Sequence, residues 1–92
     1  MAEYLLTLLS ANYNVALLSR GYGRKTKGFR LADENDTART IGDEPMQIHT
    51  HFPHIPVAVC ADRVKGVRNL QQLFPDLQCI ILDDAYQHRS LN

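Results

Sequence analysis

No apolar run in this 92-residue sequence approaches the ~20 positions that a membrane-spanning helix needs, so none of it reads as a transmembrane segment. No basic stretch leads into an apolar core and a small-residue cleavage site, so no signal peptide is legible. Any membrane contact is therefore expected from residues outside this sequence. Net charge is missing too: ten Lys and Arg offset ten Asp and Glu, which removes the usual argument for nucleic acid or an anionic surface as partner. Cysteine is scarce. Cys60 and Cys79 both sit in apolar runs that read as strands, where small core residues in a reducing compartment are expected rather than a disulfide. Internal repeats and low-complexity tracts are absent.

What remains is ordinary globular composition. Hydrophobic content of 45% and charged content of 22% exclude global disorder, and the length allows one small domain. The neutral total hides a local asymmetry. Arg20, Arg24, Lys25, Lys27 and Arg30 fall in a stretch without an acid, and Asp33, Glu34 and Asp36 follow. One segment is thus suited to an anionic ligand although the whole chain is not.

The periodicity predicts a helix over Ala2 to Ala11, with Leu5, Leu8 and Leu9 on one face and Tyr4 and Leu6 nearby. It starts at the first residue without a cap, so Met1 is expected to be an internal methionine. Val15 to Ser19 reads as a buried strand. A basic, glycine-broken loop follows from Arg20 to Gly28, then a brief extended piece at Phe29 to Leu31 and a polar loop from Ala32 to Thr40. Gly42-Asp43-Glu44-Pro45 marks a helix start, with proline near the first turn and acids at the positive end of the dipole, and the helix is expected to reach about His51. Val57 to Cys60 is a second buried strand. Asp62 caps a helix whose apolar face is read as Val64, Val67, Leu70 and Leu73, with Phe74 beside it. Cys79 to Leu82 is the third strand and runs into Asp83-Asp84.

Apolar strands alternating with helices predict an α/β fold, a mainly parallel sheet with flanking helices. Ligands bind such sheets beyond the carboxyl ends of the strands. Those ends carry Ser19-Arg20-Gly21, Cys60-Ala61-Asp62-Arg63 and Asp83-Asp84, so the polar clusters share one edge.

The strand ending in Asp83-Asp84 has two readings: a Walker B element holding Mg²⁺ beside a nucleotide phosphate, or a strand end whose acids are solvated. Adjacent acids repel unless a cation or donor relieves them, which favours the metal. The basic loop is either a phosphate contact, since glycine lets backbone approach and cations suit anions, or a solvated surface loop. Asp43 and Glu44 are either helix-start acids or, facing a substrate hydroxyl, a general base. His49, His51 and His54 straddle a helix end and a proline and lack a ligand spacing for zinc. Neither Gly21-Tyr22-Gly23 nor Gly42-Asp43-Glu44 has the spacing of a Walker A loop.

In order and spacing, four segments resemble the tetraacyldisaccharide 4'-kinase family, the lipid A 4'-kinases of Gram-negative bacteria. They are Leu18-Ser19-Arg20-Gly21-Tyr22-Gly23-Arg24-Lys25-Thr26-Lys27-Gly28; Gly42-Asp43-Glu44-Pro45; Pro56-Val57-Ala58-Val59 with Asp62-Arg63; and Ile81-Leu82-Asp83-Asp84 with Gln87-His88-Arg89. The resemblance covers nearly the whole chain. It departs at Ala85-Tyr86, where many members have glycine and then leucine or an aromatic.

The resemblance implies a P-loop NTPase-like fold and transfer of the ATP γ-phosphoryl group to the 4'-hydroxyl of a tetraacyldisaccharide 1-phosphate. It implies Asp83 and Asp84 as Mg²⁺-associated acids and Asp43 as proton acceptor. Arg20, Tyr22 and Arg63 are implied near the substrates, and Gln87 and His88 in support. Residues 1–92 are expected to be a fragment of the kinase domain, without the Walker A segment and the C-terminal portion, and inactive alone. ATP, Mg²⁺ and the lipid disaccharide are the implied cofactors and partners, without nucleic acid. The implied place is the cytoplasmic face of the inner membrane, reached through segments outside this sequence. The competing readings are another P-loop small-molecule kinase or ATPase, and a non-catalytic α/β interaction domain.

Overall fold

Val15–Ser19 forms β1, and all five of its residues are buried, as an apolar strand with neighbours on both edges and both faces requires. The computed structural model describes residues 2–21 and 26–83. Tyr22, Asp84, Gln87 and His88, expected at the site, lie outside those residues.

Around β1 the elements run α1 (Ala2–Ser10), β1, β2 (Arg30–Leu31), α2 (Ala38–Ile41), α3 (Asp43–His51), β3 (Val57–Val59), α4 (Arg63–Leu73) and β4 (Cys79–Asp83). The four-stranded sheet has the order β2-β3-β1-β4. β1 pairs in parallel with both β3 and β4, and only the two-residue β2 is antiparallel, against β3. Among the described residues, β4 closes the sheet on the other side with its outer edge unpaired.

The period-two alternation of the strands sorts the core into two layers. Val15, Leu17, Val57 and Ile81 face α1 and α3, joined by Leu6, Ile48 and Ile55. Ala16, Leu18, Ala58 and Cys60 face α4, joined by Leu70. Helices thus cover both faces of a mainly parallel sheet, the α/β architecture expected.

Some details differ from the sequence reading. In α1 it is Leu6 that is fully buried, with Leu9 packed beside it, while Leu5 and Leu8 are exposed. Leucines at 5, 6, 8 and 9 permit more than one helix setting, and the apolar sheet face selects the one that buries the 6/9 pair. In α4 the inward residues are Gly66, Leu70 and, partly, Val67 and Phe74, whereas Val64 and Leu73 are exposed. Three residues advance a helix by about 300°, so four positions at that spacing fan across about 180° and cannot share one face. The stretch read as a loop to Thr40 ends in a short helix, α2. Of the cysteines, Cys60 is buried and Cys79 half-buried, and both are free thiols.

Candidate functional site

Register brings the strand ends level. Ser19 at the end of β1 is opposite Val59 of β3 and Asp83 of β4, and the Cys60 N–H donates to the Ser19 carbonyl at 2.8 Å. The chain leaves β1 through Arg20 and Gly21. Gly21 has φ 73°, a left-handed conformation natural to glycine, and its N–H donates to Ser19 Oγ at 3.2 Å. Beyond β3, Asp62 caps α4 by accepting from the Lys65 N–H at 3.2 Å, which leaves Arg63 as the first helical residue above the sheet.

Arg20, Arg63 and Asp83 therefore line one shallow cleft with Ser19 and Cys60 at the carboxyl edge of the sheet. Gly66 makes that placement possible. A Cβ there would lie 2.8 Å from both Leu18 methyl carbons, so α4 rests on β1 at a distance that only glycine permits without rearrangement. Two guanidinium groups and a carboxylate meet around an opening of about 10 Å³, room for no more than a water, with the N-terminus of α4 beside them, so the charges would meet an anion at the rim rather than enclose it.

Asp43 reaches the same edge by another route. α3 packs on β3 and is joined to it by the short segment 52–56, so the helix runs opposite to the strand and its first residue lies at the strand's carboxyl end. Asp43 is exposed there, outside the residues that line the cleft. Gly42, at φ 98°, makes the corner between α2 and α3.

That corner rests on polar contacts that the sequence reading missed. Asp36 is 3% exposed, and its carboxylate accepts from Arg30 Nε at 2.5 Å, from Thr40 Oγ1 at 2.7 Å and from the Asp33 N–H at 2.9 Å. Burial pushes its pKa up, but the bonds from Thr40, Arg30 and the Asp33 backbone, with the Arg30 charge, outweigh that and hold it below the usual carboxylate value. Thr37 caps α2 in a reciprocal box with Thr40. The usual signature of such a box has Glu or Gln at its fourth position, so Thr-x-x-Thr gives little warning. Thr26, on the returning arm of the basic loop, donates through Oγ1 to the Thr40 carbonyl at 2.5 Å.

No cluster of three or more His, Cys, Asp or Glu side chains able to hold a metal occurs among the described residues. His51 instead meets Glu3 of α1 at 3.2 Å on the surface. A strand-end carboxylate such as Asp83 nonetheless fits Mg²⁺, which keeps most of its waters and takes only one or two protein carboxylates beside phosphate oxygens.

The family model for LpxK, tetraacyldisaccharide-1-P 4'-kinase, matches residues 1–92. A tetraacyldisaccharide 4'-kinase from Cytophaga hutchinsonii is 55% identical over 91 residues, covering 98% of this chain and 26% of that protein. The corresponding protein from Flavobacterium johnsoniae is 53% identical, covering 97% of this chain and 26% of its own length. The crystal structure of the "apo" form of LpxK from Aquifex aeolicus in complex with ATP matches with a TM-score of 0.79 at 35% identity, over 96% of this chain and 29% of that one. The chain thus spans about a quarter of the length of the curated relatives it matches.

Proposed function

The chain belongs to the tetraacyldisaccharide-1-P 4'-kinase family, and on that premise we propose that it is part of an enzyme that phosphorylates the 4'-hydroxyl of a tetraacyldisaccharide 1-phosphate with ATP. The observation that carries this reading to the residues is the cleft in which Arg20, Arg63 and Asp83 meet, with Asp43 on the same edge of the sheet.

Phosphoryl transfer needs little covalent help from the protein and much positioning and charge stabilisation. In the proposed reaction the bond from the γ-phosphorus to its bridging oxygen breaks and a bond to the 4'-oxygen forms. ADP leaves, and the hydroxyl proton passes to a base. Asp43, an exposed carboxylate, is that base. Arg20 and Arg63 face the charge on the transferring and bound phosphates, and the family resemblance assigns Tyr22 to substrate binding. Asp83, with Asp84 next to it in sequence, would hold Mg²⁺, which would offset the charge on the phosphates. The family resemblance gives Gln87 and His88 a supporting role. The Walker A loop and the surface for the acyl chains belong to parts of the kinase outside these residues. An amphiphilic acceptor together with ATP as donor supports reading the reaction at the cytoplasmic face of the inner membrane. Among the described residues no helix is long and apolar enough to cross a membrane.

The test is transfer from ATP to the disaccharide by the full-length kinase that contains this segment, with Asp43→Ala alongside. Loss of a general base predicts a kcat lower by about 10²–10⁴-fold, with the KM for ATP little changed. Undiminished turnover in that variant would remove Asp43 from the mechanism.

A further inference from the structure

The proposed chemistry makes no use of the best-satisfied buried charge among the described residues. Asp36 lies at neither strand end nor helix start of the cleft, yet its side chain is 1% exposed. A buried carboxylate is costly unless it is fully bonded, and a generic core contact would be made more cheaply by an apolar residue. The identity of its partners is therefore informative.

Those partners come from three separate segments. Arg30 belongs to β2, the Asp33 N–H to the turn after it, and Thr40 to the last turn of α2. Thr40 then reaches further. Its hydroxyl accepts from the Thr37 N–H at 2.9 Å, closing the cap of α2, and its carbonyl accepts from Thr26 of the basic loop. After Thr40 come the fully buried Ile41, the Gly42 corner and Asp43. The Ile41 and Gly42 N–H groups donate back to the Thr37 and Ala38 carbonyls at 3.1 and 2.8 Å, so the cap and the corner are one hydrogen-bonded unit. A four-residue helix has little stability of its own and takes its orientation from such contacts.

We propose that Asp36 is a positioning residue: through Thr40 it sets the α2–Gly42–α3 corner that aims Asp43, and it ties the returning arm of the basic loop to that corner. The acceptor-side carboxylate and the loop that meets the anionic substrate are thereby held in one frame. The inference rests on the reading of Asp43 given above.

The experiment uses the full-length kinase that contains this segment, with Thr40→Val, Thr40→Ser, Asp36→Asn, Asp43→Ala and the Asp36→Asn/Asp43→Ala pair. Thr40→Val keeps the shape and removes the hydroxyl, which guards against a variant that simply fails to fold. Displacement of a reacting group by about 1 Å can cost on the order of 100-fold, so Thr40→Val and Asp36→Asn are expected to lower kcat by about tenfold or more. The KM for ATP should stay within about twofold, and Thr40→Ser should restore kcat. Because Asp36 acts through Asp43, the double variant should be no slower than Asp43→Ala alone. Multiplied single effects, or an unchanged kcat in Thr40→Val, would overturn the proposal. If the wild-type enzyme transfers nothing to the disaccharide, the functional reading fails instead. The positioning claim is then read from amide exchange in the same proteins. Ile41 and Gly42 should exchange faster in Thr40→Val relative to Leu17 of the central strand, and equal protection would overturn it.

Discussion

Gly66→Ala offers a direct test of how α4 is seated. The new Cβ would lie 2.8 Å from Cδ1 and Cδ2 of Leu18 and 3.2 Å from Cβ of Cys60, whereas carbon pairs rest at about 3.5–4.0 Å. Leu18 is 3% exposed and Cys60 likewise, so relief requires a repacked leucine or a helix displaced from the sheet. Overpacking of this kind costs about 1–3 kcal/mol. Alanine also favours the helix over glycine by about 1 kcal/mol, which leaves a net loss of roughly 0–2 kcal/mol. A single variant is a blunt measure because the two contributions oppose. The double-mutant cycle with Leu18→Ala separates them. That substitution alone should cost about 2–5 kcal/mol, and it removes the methyl groups that the new Cβ strikes. Propensity is present in both backgrounds and cancels, so the coupling reports the steric contact alone. In the Leu18→Ala background, where only the 3.2 Å contact with Cys60 Cβ remains, Gly66→Ala should become neutral to stabilising by up to about 1 kcal/mol. Urea unfolding at neutral pH, followed by far-UV circular dichroism, gives the four free energies. Equal effects of Gly66→Ala in both backgrounds would refute the close approach of α4 to β1.

Two more expectations concern charge. The Asp36 carboxyl is held below its ordinary value in the folded state, so its contribution is fully present above the unfolded pKa of about 3.9 and is lost as pH falls through the folded one. The gap in urea midpoint between wild type and Asp36→Asn should be constant from neutral pH to about pH 5 and shrink at about pH 3; a gap independent of pH would contradict this. Asp83→Asn in the full-length kinase should raise the Mg²⁺ concentration needed for half-maximal rate by about tenfold or more, and an unchanged Mg²⁺ dependence would remove Asp83 from the metal site.

The legible parts of the fold were those fixed by local pattern. Val15–Ser19 is an apolar run that forms the buried central strand, whereas Cys79–Asp83, read as equally buried, is an edge strand with Ile81 buried and Leu82 exposed; Asp62 is a helix cap, and Gly42-Asp43-Glu44-Pro45 starts α3 where the residue types require. What escaped was set by partners distant in sequence. Gly66 looks like a defect in an amphipathic helix until Leu18 is placed beneath it. Asp36 looks like one of three solvated acids until Arg30 and Thr40 close around it. The cleft itself was half legible. Three polar strand ends on one edge follow from a parallel sheet, but the order β3-β1-β4, which brings Arg20, Arg63 and Asp83 together, depends on pairings that strand patterns do not specify.

The open side of β4 has a consequence for how the cleft is built. Any strand that extends the sheet there hydrogen-bonds to the element that carries Asp83, and a parallel newcomer takes its register from Cys79–Asp83. A slip of one residue would reverse its faces and lift its end out of line with the carboxylate. Extension of the sheet and alignment of whatever loop follows the new strand with the proposed metal acid are therefore a single zippering event.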